Sequence, residues 1–497
     1  MNTANIRIAN ALLSDAIKKH GDRILLVEPS TGEAISYLAF GQRLAQVARL
    51  LKNEGVARRD VVTLISDNSI DLATMIYGVI AYGAIAKPLN PKLTPIEILN
   101  LLKHSGSKII FADGVTAPND FEGKSLVIST YRDVEPSDPD EAWAANAGED
   151  DGALLIYTSG TTGSPKGVLL SQRNLAANTL TAVNTFSLDS THVKACILPL
   201  FHTFGFISDL SASILCGGKV VILPTFDITR LKDLATATHE HSVNSFSAVP
   251  LIFELLLRLD CDLNRDSMKF CVSGAAPLSE KVAVDFRRKY GFTIIPAYGL
   301  TESTCFCTIS PPDAIVDSSI GKPADIEIKI ISDNGKELSA GERGELIIKG
   351  QSVMRGGYYK NEEQCYADDG GDWFKTGDIG YFDSQGFFFI TGRKKNMAIH
   401  GGEKVYLEDI DRCLQRFDVI ADSATVRVDN NGVDRIACFV VLNEEKPASS
   451  REIISFIKEN LGGYKYPDVI VFRDSIPRTA TNKVRMGELQ KQAKEYV

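Results

Sequence analysis

Residues 153–170 read ALLIYTSGTTGSPKGVLL. One apolar run, ALLIY, enters the segment and a second, VLL, leaves it. Short apolar runs bounded by turn residues read as strands, so 158–167 is a loop between two buried strands. Gly160, Gly163 and Gly167 let the backbone approach a ligand closely. Thr158, Ser159, Thr161, Thr162 and Ser164 supply hydroxyls, and Lys166 supplies one positive charge. Amides, hydroxyls and a cation around a glycine-rich turn can cradle phosphate oxygens. The Walker pattern is not met, because Lys166 follows Pro165, Gly167 stands where Ser or Thr is required, and a strand-like VLLS replaces the helix. A flexible surface loop is the bland alternative. The flanking strands and the one-sided composition favour a phosphate loop of non-Walker type.

Outward from this loop, strands alternate with helices. Leu44, Val47, Ala48 and Leu51 recur at helical spacing and Gly55 is placed to end that helix. Strands follow at 61–66, 84–88 and 108–113. Helices are expected at 72–84 and, from the capping box and proline of Thr94-Pro95-Ile96-Glu97, at 94–104. After an acidic, exposed stretch at 133–151 and the loop itself, helices near 174–186 and 251–259 alternate with strands at 194–198 and 219–223. Such alternation argues for a parallel α/β layer. From about Ile326 short strands with glycine turns, GELIIKG and GFFFITG, predict a small β-rich subdomain. Beyond Gly392 a compact βα pattern begins: helices near 407–416 and 451–461, and strands at 423–428 and 435–441. The predicted fold is α/β, with a large multi-layer N-terminal domain (1–394) and a small mobile α+β C-terminal domain (395–497).

A chain of 497 residues is too long for one core. Hydrophobic content of 44% and charged content of 24% are ordinary for a globular protein. Fifty-four basic against 63 acidic residues leave −9, with no basic stripe for nucleic acid. Nine cysteines show no CxxC pair, so neither zinc nor a disulfide framework is indicated; Cys196, Cys216 and Cys438 lie in apolar runs and read as buried thiols of a cytoplasmic protein. The N-terminus has no secretory pattern. The most apolar segment, 72–86, is short for a membrane span and interrupted by Gly78 and Gly83, so it reads as a buried helix.

YTSGTTGSPKGV closely resembles the phosphate-loop signature of the adenylate-forming superfamily, which contains acyl- and aryl-CoA ligases, stand-alone adenylation enzymes, peptide-synthetase adenylation domains and beetle luciferases. Five further segments carry the resemblance, in the family's order, over 153–485. AYGLTES is similar to its aromatic-Gly-x-Thr-Glu motif, which implies Tyr298 stacked on adenine, Thr301 a phosphate contact and Glu302 the Mg²⁺ carboxylate. SGAAPL resembles the adenine-edge segment, with Gly274, Ala275 and Ala276 along the base. WFKTGD implies Asp378 as the ribose reader, a role suited to a carboxylate that accepts two hydrogen bonds. In FITGRKK, Ile390 and Arg393 fall at the ribose and phosphate region, and Lys395 at the family's hinge. SIPRTATNKV is similar to PRTxxGK and makes Lys483 the adenylation lysine, a mobile point charge delivered by a separate domain. Two departures stand here: Asn482 replaces the usual Gly, and Arg485 lies closer to the lysine than usual. Each motif read alone would be a turn, a loop or a solvated lysine. HGGEKVYLEDI resembles the loop lining the pantetheine tunnel, with Gly401 and Gly402 admitting a thin ligand.

LPLFHTFGF resembles the segment of acyl- and aryl-CoA ligases that brings a histidine, here His202, beside the carboxylate. Positional match with 4-coumarate–CoA ligases implies an acid pocket of Thr203, Phe204, Ser208, Ala275, Gly299, Cys305 and Phe306, small and apolar enough for an aryl or medium acyl chain. Asp209, odd within FGFISDLSASIL, reads as capped or facing solvent, with a substrate amine as the alternative. The resemblance implies that a carboxylic acid and ATP, with Mg²⁺, give an acyl-adenylate that is passed to the thiol of CoA. A loader of aryl, acyl or β-amino acids onto a carrier-protein phosphopantetheine, supplied in trans, is the second reading. A non-catalytic nucleotide-binding relative and a luciferase-like oxygenase are the others.

Overall fold

The computed structural model describes residues 8–497 except 137, 144–146, 159–164, 227–229, 362–364, 368–371, 401–402, 431–432, 444–445, 462–464 and 479–483. They form two compact units: residues up to 327 with 348–374, and 328–347 with 375–497.

The first unit is the expected α/β body, built on two sheets. A six-stranded sheet runs in the order Lys124–Val127, Ile109–Ala112, Val61–Ile65, Ile85–Leu89, Gly152–Thr158, Lys166–Ser171. It is parallel until its last pair, which is antiparallel. The two apolar runs around the glycine-rich loop are therefore one hairpin at a sheet edge. A nine-stranded sheet has six parallel strands at its centre: Thr293–Tyr298, Phe270–Ser273, Ser245–Ala248, Val193–Cys196, Lys219–Ile222 and Ile24–Glu28. Antiparallel strands flank them at both edges. Parallel strands are covered on both faces, which is why VVTLI and VILP-like runs carry no alternation. The helix Ala9–His20 and the strand pair Ile24–Glu28 and Glu33–Ser36 had no strong sequence signal.

The helix Ile70–Tyr82 is buried at nearly every residue. Ser69 caps it, accepting from Leu72 N, and Gly83 ends it at φ 87°. A Cβ on Gly78 would lie 2.5 Å from Val47 Cγ1, so this glycine marks where the helix meets Tyr37–Asn53. Of the glycines that argued against a membrane span, Gly78 thus has a packing reason and Gly83 a conformational one, and no described helix is long and apolar enough to cross a membrane. The acidic stretch 133–151 is largely exposed, but Ala142 is buried and Pro139 packs on Gly41, pinning it to the helix Tyr37–Asn53.

Lys87 is fully buried in the strand Ile85–Leu89, donating to Leu101 O at 3.1 Å and Ser105 Oγ at 2.6 Å. Burial, then Lys360, pulls its ammonium down to about 7. The unfolded chain holds that proton up to about 10.4, so between these values it binds more protons than the fold. Stability therefore rises with pH across roughly 7 to 10, and the full penalty stands below 7, with a slope of at most about 1.4 kcal/mol per pH unit. Lys87→Met should flatten that rise relative to wild type in urea titrations at pH 7, 8 and 9. Parallel curves would sink the assignment.

The second unit holds a four-stranded sheet of Glu327–Ile331, Gly344–Lys349, Phe374–Phe382 and Phe388–Arg393, which is the expected β-rich element. Its α+β remainder has a long antiparallel pair, Ile420–Asn430 with Val433–Leu442, and Val469–Phe472 parallel to it. The helices Leu407–Leu414 and Ser450–Leu461 bury Ile410, Leu414, Ile453 and Ile457 against one face of these strands, and Met486–Ala493 covers the other.

Candidate functional site

In the first unit, the loops that follow three parallel strands of the nine-stranded sheet carry the predicted residues. The strand Val193–Cys196 leads to His202, Phe270–Ser273 to Gly274, Ala275 and Ala276, and Thr293–Tyr298 to Gly299, Thr301 and Glu302. Parallel strands share a direction, so these loops emerge at one sheet edge, where open α/β sheets bind ligands. Ala275 adopts φ +68°, a left-handed conformation unusual for a residue with a Cβ.

Buried amides hold the loops. Asn68 donates to Leu198 O at 2.9 Å and accepts from Leu200 N at 2.9 Å, fixing the turn that ends at His202. Asn178 donates to Phe306 O at 2.9 Å and accepts from Phe306 N at 3.0 Å, and Asn174 donates to Gln351 O and Val353 O. None of the three was singled out from the sequence. Polar residues at i and i+4 on a buried face of the helix Gln172–Thr185 were the available signal.

Among the acid-pocket candidates, Thr203, Ser208, Cys305 and Phe306 are buried, and the rings of Phe204 and Phe306 meet edge to face at 6.1 Å. A Cβ on Gly299 would lie 1.5 Å from Cys305 O. Gly299→Ala must therefore displace the Cys305–Phe306 backbone, at about 1–3 kcal/mol or more. A clear drop in denaturant midpoint is expected, and an unchanged midpoint would contradict the packing.

Phe204–Ser211 forms a π-helix, a rare form that is frequent at functional sites. It overturns the reading of Asp209 as capped or solvent-facing. Asp209 is 0% exposed and faces Lys194, itself 2% exposed, with Nζ to Oδ1 at 3.4 Å. Burial pushes its carboxyl up to about 6 against the pull of Lys194. A helix with one inward face cannot hide this carboxylate from the core once the neighbouring residues are apolar. Cys196 and Cys438 are buried as expected, whereas Cys216 is only half-buried.

At the hairpin, Thr158 pairs with Lys166, whose Nζ lies 4.8 Å from the Tyr358 ring centroid. The Tyr358 hydroxyl donates to Glu302 Oε1 at 2.8 Å. Tyr359 N donates to Gly167 O at 2.8 Å, which docks this segment on the hairpin. Lys166, Tyr358 and Glu302 thus form one chain of contacts from the phosphate loop to the predicted metal carboxylate. Tyr358 was missed; the Gly356-Gly357 pair before it, both at positive φ, is the signal in the sequence that a turn aims it. Among the described residues no group of three or more His, Cys, Asp or Glu could enclose a metal. One carboxylate suits Mg²⁺, which keeps water and phosphate oxygens as its other ligands.

In the second unit Asp378 is buried within the strand Phe374–Phe382, and Arg393 ends Phe388–Arg393 beside it, Nε to Oδ1 at 2.7 Å. From Phe374 onward WFKTGD is thus strand, with Gly377 at φ +70°, where the motif alone would be a loop. Ile390 is half-buried in the same sheet and Lys395 is exposed in the following turn. Glu408 Oε1 spans that turn, accepting from Arg393 N at 3.2 Å and Asn396 Nδ2 at 2.7 Å. Ser159, Gly160, Thr161, Thr162, Gly163, Gly401, Gly402, Asn482 and Lys483 lie outside the described residues.

The family model described as AMP-binding enzyme matches residues 13–359, and that described as AMP-binding enzyme C-terminal domain matches 409–483. The chain is 29% identical over 506 residues to a sulfoacetate–CoA ligase of Cupriavidus necator, covering 96% of each. It is 29% identical over 503 residues to an oxalate–CoA ligase of Arabidopsis thaliana, again covering 96% of each. Its fold is similar to that of O-succinylbenzoate coenzyme A synthetase from Bacillus subtilis, solved with ATP and magnesium ion, at a TM-score of 0.85 and 26% identity over 96% of this chain and 98% of that one.

Proposed function

Because this chain belongs to the AMP-binding enzyme family, we propose that it is an AMP-forming ligase joining a carboxylic acid, aryl or medium acyl, to the thiol of CoA. In the first step a carboxylate oxygen attacks the α-phosphorus of ATP and pyrophosphate leaves. In the second the CoA sulfur, losing its proton, attacks the acyl carbon and AMP leaves. The first approach sets negative charge against negative charge, so the site must supply preorganised cations and donors. Mg²⁺, when bound, offsets phosphate charge.

The observation that carries this reading is the convergence of the loops bearing His202, Gly274 and Glu302 at one sheet edge, with the Lys166–Tyr358–Glu302 contacts beside them. In this reading Lys166 and residues 158–163 hold the ATP phosphates, with Thr301 as a further contact. Tyr298 stacks on adenine and Gly274–Ala276 line its edge. Asp378, with Ile390 and Arg393, reads the ribose, and Glu302, oriented by Tyr358, holds Mg²⁺. His202 sits beside the acid carboxylate, with Thr203, Phe204, Ser208, Ala275, Gly299, Cys305 and Phe306 as the pocket. Residues 395–497 act as a mobile domain hinged at Lys395, bringing Lys483 for the first step and Gly401 and Gly402 along the pantetheine for the second. The cysteine pattern of the sequence supports a cytoplasmic location.

The test is acid-dependent pyrophosphate release with a panel of aryl, medium-chain and β-amino acids, each with and without CoA. Release stimulated by CoA, with a thioester product, is expected. Pyrophosphate exchange indifferent to CoA would move the acceptor to a carrier protein. No turnover with any acid alongside ATP binding would leave a non-catalytic relative.

A further inference from the structure

The buried pair of Asp209 and Lys194 is unusual for its place. Burying an ion pair gains little stability, because desolvation cancels the attraction. A carboxylate kept inside a protein ordinarily recruits several donors. Asp209 has none at full hydrogen-bonding geometry: both its oxygens are enclosed, and the groups that pull its carboxyl down, Lys194, the Ser247 hydroxyl and the Leu198 backbone, stand only near it. Lys194 Nζ approaches only to 3.4 Å. The Ser247 hydroxyl is shared with Ser208 at 2.8 Å.

This unsatisfied carboxylate adjoins the acid pocket. It lies on the π-helix Phe204–Ser211, which also carries the pocket candidates Phe204 and Ser208. Its charge acts on the buried thiol of Cys305, another pocket candidate, and Lys194 acts on the same thiol in the opposite sense. The pair thus stands among three of the residues expected to surround the acid.

We propose that Asp209, positioned by Lys194, is a specificity residue that receives a neutral hydrogen-bond donor at the end of the acid remote from its carboxyl group. This rests on the ligase reading and deepens it. The choice of donor follows from charge. Asp209 and Lys194 together are neutral, so an ammonium group would leave one uncompensated positive charge in the interior, and a second carboxylate one negative charge. A hydroxyl, an aromatic amino group or an amide N–H satisfies the open oxygens without adding charge. The substrate class is therefore a hydroxylated, amino-aryl or amide-bearing carboxylic acid. On the same balance a protonated amine on an amino-acid-like substrate is the poorer partner for Asp209.

The experiment compares matched acids by kcat/KM for pyrophosphate release. One set is an arylalkanoate unsubstituted, hydroxylated and O-methylated; another is a medium-chain acid with and without a terminal hydroxyl, amine or carboxylate. The donor-bearing neutral member should exceed its unsubstituted and O-methyl partners by about 10²-fold or more, since a site built for a donor leaves its own group unpaired with the analogue. The double variant Lys194→Met, Asp209→Leu replaces the pair by apolar side chains of similar volume, a change folds commonly tolerate, and should bring that ratio to about threefold or less. Release without preference for the donor in wild type, or a preference that survives in the folded double variant, overturns the proposal and leaves the ligase reading intact. No acid-dependent release from any member overturns the ligase reading, and this one with it.

Discussion

Lys483→Ala is expected to abolish acyl-adenylate formation while sparing thioester formation from supplied acyl-adenylate. Only the first step brings a carboxylate against the α-phosphorus and expels pyrophosphate, so only there does a single ammonium meet the charge of attacking and leaving groups at one phosphoryl centre. Removing one such preorganised contact costs about 3 kcal/mol or more, or at least about 10²-fold in rate. The second step transfers an acyl group to sulfur with AMP leaving, and in the two-conformation reading Lys483 has been carried away by then. Acid-dependent pyrophosphate exchange reads the first half-reaction. Consumption of CoA thiol with a synthetic acyl-adenylate reads the second. Equal damage to both would refute a lysine that serves one conformation alone. Lys483→Arg is a useful companion, since a planar guanidinium keeps the charge but not the geometry of a compact ammonium. It should recover only a small part of the exchange.

What could be read from the sequence depended on how local its cause was. The hairpin around 158–167 was legible because apolar runs and turn residues are properties of consecutive positions. The helix opening at Thr94 was legible for the same reason, and its capping box is present in full. Asp209 was misread because its environment is made by Lys194, fifteen positions away on a neighbouring strand, and no periodicity announces such a partner. Tyr358 was missed on similar grounds. It reaches Glu302 across 56 positions, and a tyrosine after two glycines has no local pattern that names an acceptor. Asn68 and Asn178 belong with these, since each fixes a loop more than 100 positions away. The motifs read as ligand-binding could be found by resemblance; the groups that hold them in place could not, because their partners are set by tertiary packing.

Glu302→Gln should lower acyl-adenylate formation by about 10³-fold and move half-maximal activity to much higher Mg²⁺ concentration. Glutamine keeps the volume and can still accept from the Tyr358 hydroxyl, so the 2.8 Å contact and the fold are preserved. What is lost is the negative charge, which a hard cation with several water ligands requires from at least one carboxylate. Tyr358→Phe tests the geometry separately. It leaves the charge and removes one hydrogen bond to it, worth about 1.5–3 kcal/mol when the acceptor is charged. A loss of about tenfold, with a smaller shift in Mg²⁺ dependence, is expected. The double variant should lose less than the product of the two single losses, because Tyr358 acts through the carboxylate that Glu302→Gln has already removed. Strict multiplication would mean that Tyr358 works on the phosphates independently, through the Lys166 side chain that lies over its ring. An unchanged Mg²⁺ requirement in Glu302→Gln would remove Glu302 from the metal altogether. The Lys166–Tyr358–Glu302 contacts would then be a scaffold for the hairpin, and Lys166→Met would lower stability more than it lowers turnover.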